Sequence, residues 1–237
     1  MNRLFLLALA ACFTAQAFAQ APAVSMDDEP HYSQVFSNGY CRAYLVKLGR
    51  LEETKPVVHK REWVRMTLGG TVETAWGGTL FGRAQYEDPD GYIVSFLNPV
   101  DRLVLRNSHN EPYRAMVVEI MQGDESRYRL NDPSLAPFTQ TAGPGVDPHV
   151  SYVTYLTKTS VEIMNVQLLP GEFKQLDSKG AGALLVAMTD LELSQDIKSK
   201  RGEVQLSKGD VQWLAGNAPR LKNTGTETVR FVVLEMK

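Results

Sequence analysis

Short apolar or alternating runs, separated by Gly, Pro, Asn and Asp, recur along most of the chain. Runs of this kind are typical of β-strands with turns between them. An apolar spacing of three and four residues does not persist beyond the N-terminal segment over the ~10 to 12 residues that a helix requires. The pattern therefore predicts an all-β protein. The runs are Cys41 to Leu48, Trp63 to Thr67, Tyr92 to Phe96, Tyr113 to Met121, Ser160 to Leu169, Leu184 to Met188, Val211 to Leu214 and Val229 to Met236.

The two halves of the chain share an internal repeat. The segment Asn107 to Glu119 aligns with Asn223 to Glu235 at an offset of 116 (223 minus 107), with Asn, Glu, Arg, Val and Glu recurring at matching places. Two shorter matches occur in the same order, with offsets of 120 and 122, so a duplicated domain is indicated. These matches are Val46-Lys47-Leu48 with Val166-Gln167-Leu168 and Met66-Thr67 with Met188-Thr189.

The repeat and the local composition together predict the domain boundaries. Residues 20–30 are acidic and are expected to form a flexible N-terminus, and residues 31–121 form the first domain. Residues 122–150 are rich in Pro and Gly, which is the composition of a linker, and residues 151–237 form the second domain. Two domains of many short strands favour closed barrels or sandwiches, which bury their edges.

Residues 1–19 have the features of a secretory signal peptide. Arg3 precedes an apolar stretch from Leu4 to Phe13, and Ala17-Phe18-Ala19 supplies small residues at a cleavage point. We expect export to the periplasm or the extracellular space, with no transmembrane anchor left after cleavage. Leu9-Ala10-Ala11-Cys12 is similar to a lipoprotein cleavage box, which is the alternative, although its apolar core is very short.

Charge and cysteine content exclude some classes of function. The 237 residues carry a net charge of -2 with no basic stripe, so nucleic acid is not expected as a partner. Only two cysteines occur, and Cys12 leaves with the signal peptide. Cys41 is then the single thiol, and packing in the core is a better interpretation for it than nucleophilic chemistry.

Two segments of the second half have a recognisable pattern. The first begins with Leu169-Pro170-Gly171-Glu172 and continues in the apolar run from Leu184 to Asp190. The second is the stretch from Lys208 to Gly216, followed by Arg220 to Asn223. These segments resemble the first and second motifs of the cupin superfamily, whose members are jelly-roll β-barrels. Because the first half joins through the repeat, the resemblance implies two tandem cupin-like jelly-roll β-barrel domains, a bicupin.

The resemblance also implies where a metal would bind. Cupin enzymes hold a divalent metal with two His and one Glu from the first motif and one His from the second. Counted from Gly171, these positions in the second half fall on Asp177, Lys179, Ala183 and Pro219. We therefore predict no metal in the second barrel and no cofactor for the chain.

In the first half the same count depends on whether Leu68 or Gly69 marks the turn. The count places the Glu position on Arg61 or Glu62, and His59 then lies one or two residues beyond the second His position. The His position of the second motif falls on Leu103. His59, Glu62 and Arg65 are the candidate ligand-binding residues. Strand alternation predicts that Trp63, Arg65 and Thr67 share one face, with Val64 and Met66 on the other.

No catalytic motif stands out, and no catalytic residues are assigned. The sequence contains no Gly-x-Ser-x-Gly elbow, phosphate-binding Gly loop or His-Glu-x-x-His. We expect an exported cupin-like protein that is a non-catalytic small-ligand-binding or structural module. One alternative is a metal-dependent dioxygenase, isomerase or hydrolase with a site rebuilt near His59 and Glu62. Another is a protein-interaction scaffold, and a homodimer is also left open.

Overall fold

The computed structural model describes residues 22–76, 92–97, 100–122, 138–142, 152–157, 160–176, 181–197, 200–215 and 219–237. Within these ranges there is no α-helix, and the all-β prediction is confirmed. One turn of 3-10 helix, Met26–Asp28, comes first. The strands that follow are β1 (Tyr32–Ser37), β2 (Cys41–Leu48), β3 (Val57–His59), β4 (Trp63–Gly69), β5 (Glu73–Trp76), β6 (Tyr92–Leu97), β7 (Val100–Arg106), β8 (Tyr113–Ile120), β9 (Phe138–Ala142), β10 (Tyr152–Thr157), β11 (Val161–Leu168), β12 (Phe173–Gln175), β13 (Gly182–Ala187), β14 (Leu191–Ile197), β15 (Lys200–Leu206), β16 (Val211–Ala215), β17 (Arg220–Asn223) and β18 (Val229–Met236).

Each half of the chain contributes two antiparallel sheets. In the first half a sheet with the order β1-β2-β8-β4-β6-β9 faces a smaller sheet with the order β3-β7-β5. In the second half the orders are β10-β11-β18-β13-β16 and β12-β17-β14-β15. Chain neighbours are frequently not sheet neighbours, as in a jelly roll. The architecture is that of two tandem barrels.

Strand register relates the two halves. Cys41 of β2 lies opposite Ile120 of β8, and Val161 of β11 lies opposite Met236 of β18 in the same way. These pairs differ by 120 (161 minus 41) and 116 (236 minus 120). The predicted offset of 122 for Met66 is wrong. Met66 of β4 pairs with β8 in the same way as Val186 of β13, 120 positions later, pairs with β18. β13 ends before the residue that the offset of 122 would select.

Asn107 and Asn223 close equivalent turns in the two halves. The side-chain amide nitrogen of each donates to the backbone carbonyl four residues later, at 2.8 Å in both halves. The amide oxygen of each accepts from the backbone N–H two residues later, at 2.9 and 3.0 Å. Both side chains are fully buried. They satisfy turn groups that burial would otherwise leave without partners.

The two barrels share a third apolar cluster at the junction between the large sheets. β4 and β8 in the first half and β13 and β18 in the second are buried along almost their whole lengths, because one face of each lines a barrel and the other lies at the junction. Burial contributes roughly 1.5–3 kcal/mol for each large aliphatic side chain. The halves are therefore expected to behave as one unit. The junction cluster contains Cys41, Ala43, Val64, Met66, Leu68, Met116, Val118, Ile120, Val161, Ile163, Leu184, Val186, Met188, Val232, Leu234 and Met236.

Aromatic stacking reinforces this junction. The indole of Trp213, in the second half, stacks on the ring of Phe36 at a centroid distance of 5.9 Å and on that of Tyr40 at 5.7 Å. Both aromatic partners belong to the first half. Such pairs add about 0.5–1.5 kcal/mol beyond the area they bury.

Residues 22–30 do not form the flexible segment that their composition predicts. Backbone hydrogen bonds join Val24 to Pro56 and Val58, at 2.8 and 2.9 Å. Met26 is buried against the first barrel, and Glu29 is 2% exposed. These backbone bonds, one buried apolar side chain and one buried carboxylate hold the segment, although its acidic composition does not indicate this.

The predicted linker, residues 122–150, contains a strand. β9 pairs with β6 and extends the large sheet of the first half. Phe and Thr are good strand formers, and pairing with an edge supplies hydrogen bonds that a periodicity argument does not detect. The remaining linker residues beyond Gln122 lie outside the described ranges.

The predicted signal peptide, residues 1–19, also lies outside the described ranges. In the described part of the chain, no helix has the length and apolar character needed to cross a membrane.

Candidate functional site

His59 lies in the interior of the first barrel. It is fully buried, and its imidazole stacks on the indole of Trp63 with ring centroids 4.1 Å apart and planes inclined by 19°. The ring of Tyr32 is 6.4 Å away. Burial, together with the nearby positive charge of Arg65, lowers the pKa of His59 to about 3. The imidazole is therefore neutral near pH 7, with one nitrogen able to donate and the other able to accept.

Polar atoms at this place have no hydrogen-bond partner among the residues that the structure describes. Both ring nitrogens of His59 and the hydroxyl of Tyr32 are buried and unpaired. Burial raises the pKa of Tyr32 above its ordinary value, so its hydroxyl stays protonated. Buried polar groups without partners are rare and cost free energy, so each one requires an explanation.

Arg65 shares this interior. It is 6% exposed, and its Nη1 donates to the hydroxyl oxygen of Thr74 at 3.2 Å. The predicted alternation along β4 is confirmed: Trp63 belongs to the barrel interior, whereas Val64 and Met66 belong to the junction. Arg65 thus supplies a positive charge to the barrel that holds His59.

Glu62 is not part of this interior. Its carboxylate accepts a 2.7 Å hydrogen bond from the hydroxyl of Ser160, in the second half of the chain. It immediately precedes Trp63, which points into the barrel. The structure therefore brings together His59 and Arg65, and it places Glu62 where the two halves meet.

The structure corrects the motif register in the first half. The backbone N–H of Asn107 donates to Glu52 O, as that of Asn223 donates to Glu172 O, both at 2.9 Å, which gives an offset of 120 (172 minus 52). Leu51 then takes the place of Gly171, and the two have similar positive φ angles of 59° and 82°. The turn was missed because Leu stands where glycine normally supplies a positive φ.

With this offset, His59 falls on the second His position of the first motif. The first His position falls on Val57, the Glu position on Trp63, and the second-motif His position remains on Leu103. The expected placement of the Glu position on Arg61 or Glu62 is wrong. Of the four positions, only His59 carries a group that binds metals.

This set does not fit the metal of cupin enzymes. A catalytic site needs about three convergent protein ligands, and the side chains of Val, Trp and Leu provide none. In the part of the chain that the structure describes, no three His, Cys, Asp or Glu side chains are grouped so that they could hold a metal ion. In the second half, Ala183 and Pro219 offer no ligand either, while Asp177 and Lys179 lie outside the described residues.

A groove of about 560 Å³ opens at the end of the first barrel where β2 begins and β8 ends. Tyr44 and Met26 contribute both to its lining and to the barrel interior. The ring of Tyr44 lies 6.3 Å from that of Tyr32, which in turn lies beside His59. One lining residue, Tyr44, is therefore a neighbour of Tyr32, whereas Tyr32 and His59 themselves are buried and do not line the groove. Its lining is Ala23, Val24, Ser25, Met26, Asp27, Arg42, Tyr44, Val58, Lys60, Arg61, Glu119 and Met121.

The carboxylate of Asp27 lies in this groove. The hydroxyl of Tyr44 donates to Asp27 Oδ1 at 2.8 Å, and Arg42 Nη1 lies 3.7 Å from Asp27 Oδ2. Burial, the first cause, and the hydrogen bond to Asp27 raise the pKa of Tyr44 to about 12, so the hydroxyl is a donor near pH 7. No sequence pattern points to Asp27, Arg42 or Tyr44, because Asp27 meets the other two only when residues 22–28 fold across the barrel.

The interior of the second barrel is different. Its described core cluster consists of Met, Leu, Val, Ala and Phe side chains. Asn165 and Ser194 also carry buried atoms without partners. Each alternates with residues of that cluster along its strand, so its side chain faces away from the barrel interior. Among the described residues, Asn223 enters the second core with its hydrogen-bonding groups paired, whereas buried polar atoms without a partner enter only the core of the first barrel.

Comparison with known proteins identifies the fold. No family model matches the sequence, and comparison with curated proteins gives no significant match. Among solved structures, a cupin 2 conserved barrel domain protein from Leptotrichia buccalis has a TM-score of 0.51 and 12% identity, over 87% of this chain and 88% of that one.

Two further structures belong to proteins of different kinds. Procruciferin, an 11S globulin from Brassica napus, has a TM-score of 0.58 and 9% identity, over 83% of this chain and 76% of that one. Salicylate 1,2-dioxygenase from Pseudoaminobacter salicylatoxidans has a TM-score of 0.54 and 10% identity, over 83% of this chain and 68% of that one. These similarities confirm the cupin fold with two barrels. They do not select a function, because both an enzyme and a globulin share it.

Proposed function

We propose that this chain, which has the two-barrel cupin fold, is an exported protein that binds a small molecule at the first barrel without a metal and without catalysis. The second barrel is a structural partner in this proposal. The ligand occupies the groove at the mouth of the first barrel and reaches toward Tyr32 and His59.

One observation carries the proposal: the unpaired polar atoms of His59 and Tyr32 lie inside the first barrel, whereas no unpaired polar atom faces the described core of the second. A buried donor or acceptor without a partner costs about 1–3 kcal/mol. A ligand that pairs with these atoms recovers that free energy on binding. Unpaired polar atoms next to a groove are therefore typical of a binding site.

The dimensions and chemistry of the groove support a small organic ligand. Its volume of about 560 Å³ lies within the range of sites that hold such ligands. Met26 and Tyr44 provide apolar and aromatic surface, and Arg65 adds positive charge in the interior beyond them. The lining also contains five charged residues, so the groove suits a ligand that carries polar or charged groups as well as apolar surface.

Absence of catalysis is proposed from the positions where cupin enzymes carry their ligands. His59 stacks on Trp63, which stands at the Glu position, so a metal there would have one protein ligand among the four motif positions. A single imidazole does not hold a catalytic metal.

Export is proposed from the N-terminal sequence. Cys41 is compatible with an oxidising compartment, because it is buried in the junction cluster and burial raises its pKa to about 12. A protonated and inaccessible thiol reacts slowly with oxidants and disulfides.

A thermal-shift screen of the chain from residue 20 onward tests ligand binding. The compounds are small organic molecules, and the variants are Tyr32→Phe, which removes the unpaired hydroxyl but keeps the ring, and Ser194→Ala as a matched control in the second half. A ligand at a hundredfold excess over its Kd stabilises the fold by about 2.7 kcal/mol. We expect compounds that stabilise the wild type and Ser194→Ala, with a smaller effect on Tyr32→Phe. Equal responses of the two variants, or no response to any compound, would contradict the proposal.

A further inference from the structure

We infer that the groove binds the carboxylate of an amphiphilic organic acid, and that Asp27 occupies the carboxylate position when no ligand is bound. The inference rests on the proposed function and specifies the chemical class of the ligand. It starts from the contacts of Asp27, which are those that a bound carboxylate would make.

Asp27 lies on a segment that crosses the mouth of the first barrel. We call residues 22–28 the N-terminal strap. Backbone hydrogen bonds from Val24 to Pro56 and from Val58 to Val24 fix the strap, and Met26 anchors it in the core. The backbone is thus held in place, while the side chain of Asp27 remains 55% exposed.

The contacts of Asp27 are made to groups that recognise carboxylates in general. Tyr44 donates its hydroxyl to one carboxylate oxygen at 2.8 Å, and the Arg42 guanidinium lies 3.7 Å from the other. Arg42 is in turn linked by a hydrogen bond to Tyr44, which raises the pKa of the guanidinium. A hydroxyl and a guanidinium that converge on one carboxylate form a small anion-binding site.

The remaining charges of the groove favour an added anion once Asp27 moves away. The lining contains the three basic residues Arg42, Lys60 and Arg61 and the two acidic residues Asp27 and Glu119. Arg61 Nη1 also donates to Met121 O at 2.9 Å. With the side chain of Asp27 turned into solvent, the lining keeps three basic residues and one acidic residue, Glu119, which lies opposite Arg42 in the strand register. Only a side-chain rotation is needed, because the backbone contacts of the strap do not involve the carboxylate.

The apolar part of the lining indicates that the acid has an apolar body. Val24, Met26, Val58 and Met121 line the same groove as the charged residues. A ligand with a carboxylate at one end and an aromatic or aliphatic body at the other matches both features. A small dicarboxylate or inorganic anion would leave the apolar surface uncovered.

Fluorine NMR of two matched probes tests the inference directly. Fluorobenzoate carries the carboxylate, and fluorobenzamide is its neutral counterpart of similar shape. The variants are Asp27→Ala, which removes the competing carboxylate, and Asp28→Ala as a control. Asp28 belongs to the same helical turn, but its carboxylate accepts from the hydroxyl of Ser25 and does not line the groove.

Removal of the competitor should strengthen binding of the acid alone. The contacts of Asp27, an exposed ion pair with one hydrogen bond, should weaken the affinity of the groove for a carboxylate by a factor of about five. Fluorobenzoate should therefore bind Asp27→Ala about fivefold more tightly than the wild type or Asp28→Ala. Fluorobenzamide should bind all three proteins equally. Adding Tyr44→Phe to Asp27→Ala should abolish the gain.

Three results of the NMR experiment would overturn the inference: no binding of fluorobenzoate to Asp27→Ala, equal gains in Asp27→Ala and Asp28→Ala, or an equal gain for fluorobenzamide. In the thermal-shift screen, neutral compounds could stabilise the protein in a way that depends on Tyr32 but not on Asp27. This result would also overturn the inference, but it would still support ligand binding by the first barrel. Loss of the Tyr32 dependence in the thermal-shift screen would instead reject the proposed function itself.

Discussion

His59 and Trp63 stack face to face inside the first barrel, with ring centroids 4.1 Å apart. By strand register they stand at two of the positions from which cupin enzymes bind their metal. Trp63 has no group that coordinates a metal, and its indole covers one face of the imidazole. At these two positions the present chain has an aromatic wall beside Tyr32 in place of metal ligands.

The stability of the protein should fall in acid because of His59. Its pKa is about 3 in the folded protein against an ordinary value of 6.5, so below pH 6.5 the unfolded chain binds a proton that the folded chain does not. The contribution of His59 to the free energy of unfolding is therefore fully present above pH 6.5. It is lost as the pH falls toward 3, by about 1.4 kcal/mol per pH unit at most.

Denaturant unfolding of the wild type and His59→Gln at several pH values measures this effect. The difference in the free energy of unfolding between the two proteins near pH 7 measures the effect of the substitution on packing. The change in that difference toward pH 4 measures the titration of His59. The variant should lose less stability on acidification than the wild type. Parallel pH profiles would show that His59 is not responsible.

Asn107→Ala and Asn223→Ala should each destabilise the whole molecule. Each substitution leaves buried turn groups without partners, and a loss of about 2 to 4 kcal/mol is expected. Because the halves share the junction cluster, both variants should lower the midpoint of one cooperative transition. Calorimetry checks this, and two separate transitions with only one of them shifted would show that the halves unfold independently.

Proteolysis should cut first between Gln122 and Val150, leaving two fragments of similar size that remain associated. Pro- and Gly-rich connections are preferred cleavage sites, while the junction cluster holds the halves together after cleavage. Gel filtration of the nicked protein, followed by denaturing electrophoresis, measures both properties. Early cleavage inside β8, or elution as two small species, would be evidence against this arrangement.

Cys41 should be unreactive until the protein unfolds. Burial raises its pKa to about 12, and the thiol lies in the junction cluster. Near pH 8, a thiol reagent should modify the native protein far more slowly than the denatured one. Rapid modification of the native protein would mean that the junction opens readily.

The sequence predicted those parts of the fold that depend on periodicity. Alternation along β4 placed Trp63 and Arg65 on one face and Val64 on the other, and the structure has that arrangement because a strand has a period of two. The repeat was detectable because Asn107 and Asn223 have the same hydrogen-bonding role in both halves.

The parts that the sequence did not predict depend on tertiary contacts. The motif register was misplaced because Leu51 adopts a positive φ that sequence rules reserve for glycine. The acidic composition of residues 20–30 predicts a flexible segment, because composition does not reveal that Met26 is buried. The contact between Asp27 and Tyr44 spans 17 positions and has no sequence signature.

The central claim is that the first barrel binds a small molecule without a metal. Native mass spectrometry of protein purified from its own host, combined with metal analysis, tests this claim most directly. We predict a small-molecule adduct that is reduced in Tyr32→Phe, with far less than one equivalent of Fe, Mn, Zn, Ni or Cu per chain. A stoichiometric metal that disappears in His59→Ala, or a wild-type chain with no adduct, would contradict the account.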